Sequence, residues 1–358
     1  MTWLVAGLPE DGRSIDLAQR SALPSTATDA YTVIATDGSQ IEVDRHGPAN
    51  CFLINVGGAL IHYGDSPSAE LFSQPALFTG PEQMVLADPE GGLREQPIDQ
   101  VLLGVKRMVM ECEELAERVE ALERGTPVLA LLDGSLVLWE LSGTRYPDHV
   151  RGILLQDGLL AGFNRLRDAA ASRPLAFASY ISNPRSTEVV NVLRVAWCPH
   201  EGLESRGCDA ICGVGGDGNR ECGEVAAGLM DRDLFSDILE PGERSAIFAS
   251  RSPIVLSDYG AHEVRFCYLN VGTEIARLEM PEWVANDIGA VDLLHALVMD
   301  QCNKGRGYPV ALQEAHERAV VTAGDRRVFW EMVEESLAGQ GVPVSGSEKA
   351  RSKRLRAV

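Results

Sequence analysis

Apolar positions recur along the chain at two distinct periods. From 98 to 124 they fall at Val101, Val105, Met108, Cys112, Leu115, Val119 and Leu122, one face of a helix that Gly125-Thr126-Pro127 ends. Short β-rich runs surround it. Tyr31–Thr36 reads as a strand ending at Asp37-Gly38-Ser39, and Val128–Leu132 as a strand buried on both faces ending at Asp133-Gly134-Ser135. Cys51–Val56 and Ala59–Tyr63 read as a hairpin turning at Gly57-Gly58, and Ala176–Ile181 as a further strand. Val264–Val271 and Glu274–Met280 form a strand pair around Gly272. Helices are expected at 157–172, 188–195, 282–302, 309–323 and 325–338, and a short helix with a linker within 1–28. Residues 65–97 read as irregular.

The segments order into an N-terminal piece (1–30), a core (31–197), a Cys/Gly-rich insertion (198–235), the rest of the core (236–340) and a basic tail (341–358). With 45% apolar and 23% charged residues, the chain is long enough to bury a core without disulfides. No run is long and apolar enough to span a bilayer, and the start lacks a basic signal region, so a cytoplasmic protein with reduced or metal-bound cysteines is expected.

Charge narrows the partners. Acids number 52 and bases 32, a net of −20, unlike a protein that coats nucleic acid unaided. Lys349, Arg351, Lys353, Arg354 and Arg356 run against that balance, as a solvated tail or as a phosphate- or partner-touching one.

Three acids stand out. Asp37 and Asp133 each follow an apolar strand and precede Gly-Ser, so each sits either in a tight turn or at the carboxyl edge of a sheet, where open α/β sheets place sites. On the 98–124 helix, at about 100° per residue, Glu111 borders the apolar stripe, while Glu114 and Glu117 point to solvent. A strand with Asp, a hairpin, a helix with Glu, a strand with Asp and a late helix follow the order of the ribonuclease-H-like fold, an α/β mixed sheet flanked by helices. Clustered carboxylates favour Mg²⁺ or Mn²⁺, two of which can drive phosphodiester hydrolysis. The late helix adds His316 on its apolar face, as a core residue or a ligand, and Tyr308 ahead of Pro309.

Several segments together resemble one family. ATDGSQIEVDRHG (35–47), INVG (54–57), LLDGSL (131–136), YISNPRS (180–186), DRDLF (231–235), PGERSAIF (241–248), FCYLNVGTEIARLEMPEWVA (266–285) and GYPVALQEAHERAVV (307–321) are similar to the NurA nucleases, in that family's order. The resemblance implies a dimeric, Mn²⁺-dependent deoxyribonuclease. It implies a 5′–3′ exonuclease with endonuclease activity, working with a HerA-type hexameric translocase in DNA end resection and double-strand break repair. It places the catalytic and metal-binding acids at Asp37, Glu111 and Asp133, with Tyr308 and His316 beside them. Arg185, Arg277 and the tail would then supply local positive charge for DNA.

Cys198, Cys208, Cys212 and Cys222, with His200 nearby, fit either a zinc or iron–sulfur site or a loop of free thiols. Gly213–Gly218 matches G-x-G-x-x-G without the strand and helix that motif needs, and reads as a loop. Two other functions stay open. An actin-like kinase or ATPase requires a second copy of the domain, and a non-catalytic DNA-end or translocase scaffold requires an incomplete acid set.

Overall fold

A computed structural model describes residues 20–24, 29–43, 49–89, 91, 95–196 and 226–340. The four clustered cysteines, His200, the Gly213–Gly218 run, the basic tail and all but 20–24 of the expected N-terminal helix and linker lie outside them. The remaining cysteines, Cys51, Cys112, Cys267 and Cys302, are buried thiols, as their apolar settings predict.

The centre is a ten-stranded, mostly antiparallel sheet. Its main path runs β1 (Arg20–Ser21), β9 (Arg244–Ser245), β11 (Val264–Asn270), β12 (Ile275–Pro281), β8 (Leu175–Ile181), β7 (Val128–Asp133), β2 (Tyr31–Ile41), β3 (Phe52–Tyr63) and β4 (Ser68–Phe78). Strand β10 (Phe248–Ala249) pairs with β11, and β5 (Val85–Ala87) with β6 (Glu95–Pro97) stands apart. Among the described residues only β2–β7 and β7–β8 run parallel, and the apolar residues of β7 are all buried, as a strand covered on both faces requires.

Helix α1 (Gln100–Ala121) covers one face of this sheet. Its N-cap is Asp99, whose side chain accepts from the Leu102 amide at 2.9 Å, and its buried stripe is the predicted one. Thr36 and Gly38 of β2 point toward α1, so by the two-residue period of a strand Asp37 points to the other face. That face carries α8 (Ile288–Lys304) and α9 (Val310–Ala319). Ser39 and Asn55, neighbours on β2 and β3, donate to the Ala319 carbonyl, and Asn55 also to that of Arg318. These bonds satisfy carbonyls that the end of α9 leaves open.

Several expectations change here. Gly57 and Gly58 do not turn; they sit inside one unbroken strand, β3. A Cβ on Gly57 would lie 2.1 Å from the Ala319 amide nitrogen, and one on Gly58 2.1 Å from the Phe72 ring, so the pair is there for close packing on both faces. Residues 65–97 hold an eleven-residue strand, β4, that pairs along β3. It is an edge strand with most side chains in solvent and Pro75 within it, which removes the alternation that marks a strand. The helix expected at 157–172 begins earlier: α2 (Asp148–Arg151) leads through a π-helical stretch, Gly152–Leu159, into α3 (Leu160–Ala170). The helix expected at 282–302 is two pieces, α7 (Glu282–Ala285) and α8, and the third closing helix, α10, is Ala323–Gly339. Helix α4 (Glu188–Ala196) is as expected, and α5 (Asp231–Ile238) and α6 (Pro253–Asp258) complete the helices used below. Among the described residues no helix is long and apolar enough to cross a membrane.

Candidate active site

The two Asp-Gly-Ser tripeptides prove to be different structures. At Gly134 the backbone takes a left-handed φ of +85°, and β7 ends. At Gly38 the strand continues, and the glycine serves instead to admit α1. A Cβ there would lie 2.3 Å from the Glu111 carboxylate. The turn alternative therefore applies at Asp133, which ends its strand, and fails at Asp37. Because Thr36 pairs with Leu132 in parallel register, the next residues on each strand, Asp37 and Asp133, emerge side by side.

Asp37 is 7% exposed and well partnered. Its Oδ1 accepts from the Gly38 amide at 2.7 Å, and its Oδ2 lies 2.7 Å from His316 Nδ1. Arg107 Nη1 stands 3.9 Å from Oδ1. Glu111 is 2% exposed on α1 and pairs through Oε1 with Arg107, one helical turn back. Arg107 also donates to the Gly38 carbonyl at 2.8 Å. Asp133 accepts from Tyr308 Oη at 3.3 Å. The Tyr308 ring in turn stands edge-on to Tyr180, the residue paired with Asp133 across β7–β8.

The five predicted residues therefore meet where β7 ends beside the interior of β2. Glu114 does not join them; it pairs with Arg118 and Gln74. His316 does not lie in the core: its side chain is 62% exposed and reaches across to Asp37. Arg277, expected to offer charge to DNA, is buried and bound to Glu188 and Glu279. Arg107 was not anticipated. The signal was available, since it stands four residues before Glu111 on the same helical face.

Crowding of like charge governs the site's electrostatics. Burial, then the charges of Asp37 and Asp133, push the Glu111 carboxyl up to about 8 from an ordinary 4.5, against the pull of Arg107. Burial and Asp37 also raise Asp133, and burial and Asp133 raise the Tyr308 phenol. An acid whose folded-state pKa is raised costs nothing below its unfolded pKa, where both states hold the proton. Its penalty grows as pH rises toward the folded value. In EDTA, stability to urea should therefore fall between pH 4.5 and about 8, and Glu111→Gln should flatten that fall. Equal slopes in the two proteins would place the titrating group elsewhere.

Among the described residues no group of three or more His, Cys, Asp or Glu side chains is already drawn together as a metal cage. The donors at hand are carboxylate oxygens and one imidazole, with Arg107 as the cation between two of the acids.

Residues 31–321 match the NurA domain family, and the chain belongs to it. Its members are metal-dependent nucleases that process DNA ends. No curated protein matches the chain significantly.

Proposed function

We propose that this NurA-family chain is a deoxyribonuclease with a ribonuclease-H-like core and that Asp37, Glu111 and Asp133 hold two Mn²⁺ or Mg²⁺ ions. The observation that carries the reading is the meeting of Asp37 within β2, Asp133 at the end of β7 and a buried helix glutamate, Glu111, whose proton affinity the two aspartates raise. The sheet order β4-β3-β2-β7-β8, with β2, β7 and β8 parallel, supports the fold assignment. Hard oxygen donors with too little positive charge between them suit a divalent cation. Such ions, when bound, supply positive charge beside the scissile phosphate and make water more acidic.

The chain's own groups do the rest. Asp37 accepts from His316 Nδ1, which leaves the Nε2 lone pair free. Nε2 takes the proton of the water that attacks phosphorus in line, or serves as a ligand. Tyr308 Oη, whose proton is held tightly, donates to a phosphate oxygen as charge builds there. The P–O bond to the leaving oxygen breaks as the new one forms.

Family membership supports the wider reading: 5′–3′ exonuclease with endonuclease activity in double-strand break resection, a homodimer, a HerA-type hexameric translocase as partner, and a cytoplasmic location. DNA fed by a translocase also explains how a chain of net charge −20 engages DNA. Of the Cys-rich insertion (198–235), residues 231–235 begin α5 and pack into the fold; Cys198, Cys208, Cys212 and Cys222 are either zinc or iron–sulfur ligands or free thiols, and elemental analysis decides that point. The direct test incubates end-labelled single- and double-stranded DNA with the protein in Mn²⁺, Mg²⁺ or EDTA, with and without the translocase. Metal-dependent degradation is expected. Its absence under every condition would overturn the reading.

A further inference from the structure

Beside the acids lies a second built feature that the mechanism above does not use. A cavity of about 370 Å³ opens between the turn after β7 and the start of α4, lined among others by Ser135, Trp139, Arg185, Asn191, Glu188 and Arg277. It adjoins the site: Ser135 is two residues past Asp133, and Ile181, also in its wall, follows the Tyr180 that pairs with Asp133.

Its floor is short of hydrogen-bond donors. Arg277 binds Glu188 Oε1 at 2.7 Å and Glu279 Oε1 at 2.8 Å, and Asp231, fully buried, accepts from Tyr268 and the α4 amides nearby. Two buried acids, Glu188 and Glu279, thus share one guanidinium, while Asp231 has donors of its own. Glu279 Oε2 is satisfied by Ser135 and the Leu136 amide, but Glu188 Oε2, on a residue only 5% exposed, has no hydrogen-bond partner among the described residues. A buried carboxylate oxygen left without a donor is costly and calls for an explanation. At the mouth stand an indole in partial contact with solvent, Trp139 at 37% exposure, and Arg185, an exposed cation with no ion pair among the described residues.

We propose that this cavity binds one nucleotide of single-stranded DNA next to the scissile bond, stacking its base on Trp139, pairing its phosphate with Arg185 and receiving at Glu188 Oε2 a hydrogen bond from the base's exocyclic amino group. Aromatic stacking tolerates any base, so the selective contact is the carboxylate. Thymine disfavours it, because its one Watson–Crick-edge donor lies between two carbonyl oxygens. Cytosine, of the same size, presents an amino group instead.

The inference rests on the nuclease reading for its substrate, and binding without metal tests it separately. In EDTA, with hexanucleotides labelled at one end, dC6 should bind at least about fivefold tighter than dT6. Trp139→Ala and Arg185→Ala, both at the cavity mouth, should weaken dC6 by about tenfold, the order of one lost stacked base. Glu188→Gln should level dC6 and dT6. Equal affinity for both oligonucleotides in the wild type, or dC6 binding untouched by Trp139→Ala, would overturn the proposal even if the protein degrades DNA. A dC6 preference lost in Glu188→Gln, in a protein that cleaves DNA in no metal, would uphold the subsite and defeat the nuclease reading.

Discussion

Asp133→Asn and Asp37→Asn should each lose metal-dependent DNA cleavage by at least about a hundredfold while the protein stays folded, the scale on which one electrostatic contact to a transition state acts. Both changes keep the side chain's shape and remove its charge. Asp133 bears the Tyr308 contact, and Asp37 holds His316 through Nδ1, so Asp37→Asn also frees the imidazole. Stability should not fall with activity. Each acid raises Glu111's proton affinity, so removing either charge relieves repulsion on a buried neighbour. A urea midpoint equal to or above that of the wild type, beside lost cleavage, is the expected pair. Cleavage within a few-fold of wild type in either variant would remove that aspartate from the machinery. Loss of both fold and cleavage would make its role structural.

The second large effect is on folding. Arg277 is 2% exposed, its guanidinium 3.8 Å from the Phe266 ring centre and bonded to Glu188, Glu279 and Tyr268. Arg277→Met should cost about 3–5 kcal/mol, because it strands two buried carboxylates rather than because the ion pairs themselves are strong. Replacing the acids too, in Arg277→Met/Glu188→Leu/Glu279→Met, should recover much of that loss, since an apolar cluster of similar volume needs no counter-charge. Urea unfolding of the single and triple variants measures both. A triple variant no more stable than the single one would locate the loss in packing against Phe266 instead.

The site was legible in the sequence where period and register agree. The 3.6-residue stripe of α1 placed Glu111 at its edge, and the apolar run of β7 placed Asp133 at a strand end. The structure adds that β2 and β7 are parallel neighbours in register, which no local pattern reveals. Glycine misled where it had two uses. Gly57 and Gly58 read as a turn because turn chemistry and close packing both call for a residue without a side chain. The same ambiguity made two identical Asp-Gly-Ser tripeptides look alike, although one bends the chain and the other admits a helix. Spacing after Leu312 left His316 either a core residue or a ligand; the approach of α9 to β2 and β3 is what brings it out over Asp37. Arg277 looked like a free cation because a single sequence does not show that Glu188, some ninety residues earlier, closes on it.

The central claim is that three carboxylates from β2, α1 and β7 together hold the ions that make this chain a nuclease. The most direct test titrates the protein with Mn²⁺, follows the free ion by electron paramagnetic resonance, and assays the same samples on labelled DNA. The account predicts that wild-type cleavage rises as Mn²⁺ is taken up, and that Asp37→Asn, Glu111→Gln and Asp133→Asn lose uptake and cleavage together. Mn²⁺ uptake and cleavage unchanged in those variants, or DNA degraded at the full rate in EDTA, would contradict it.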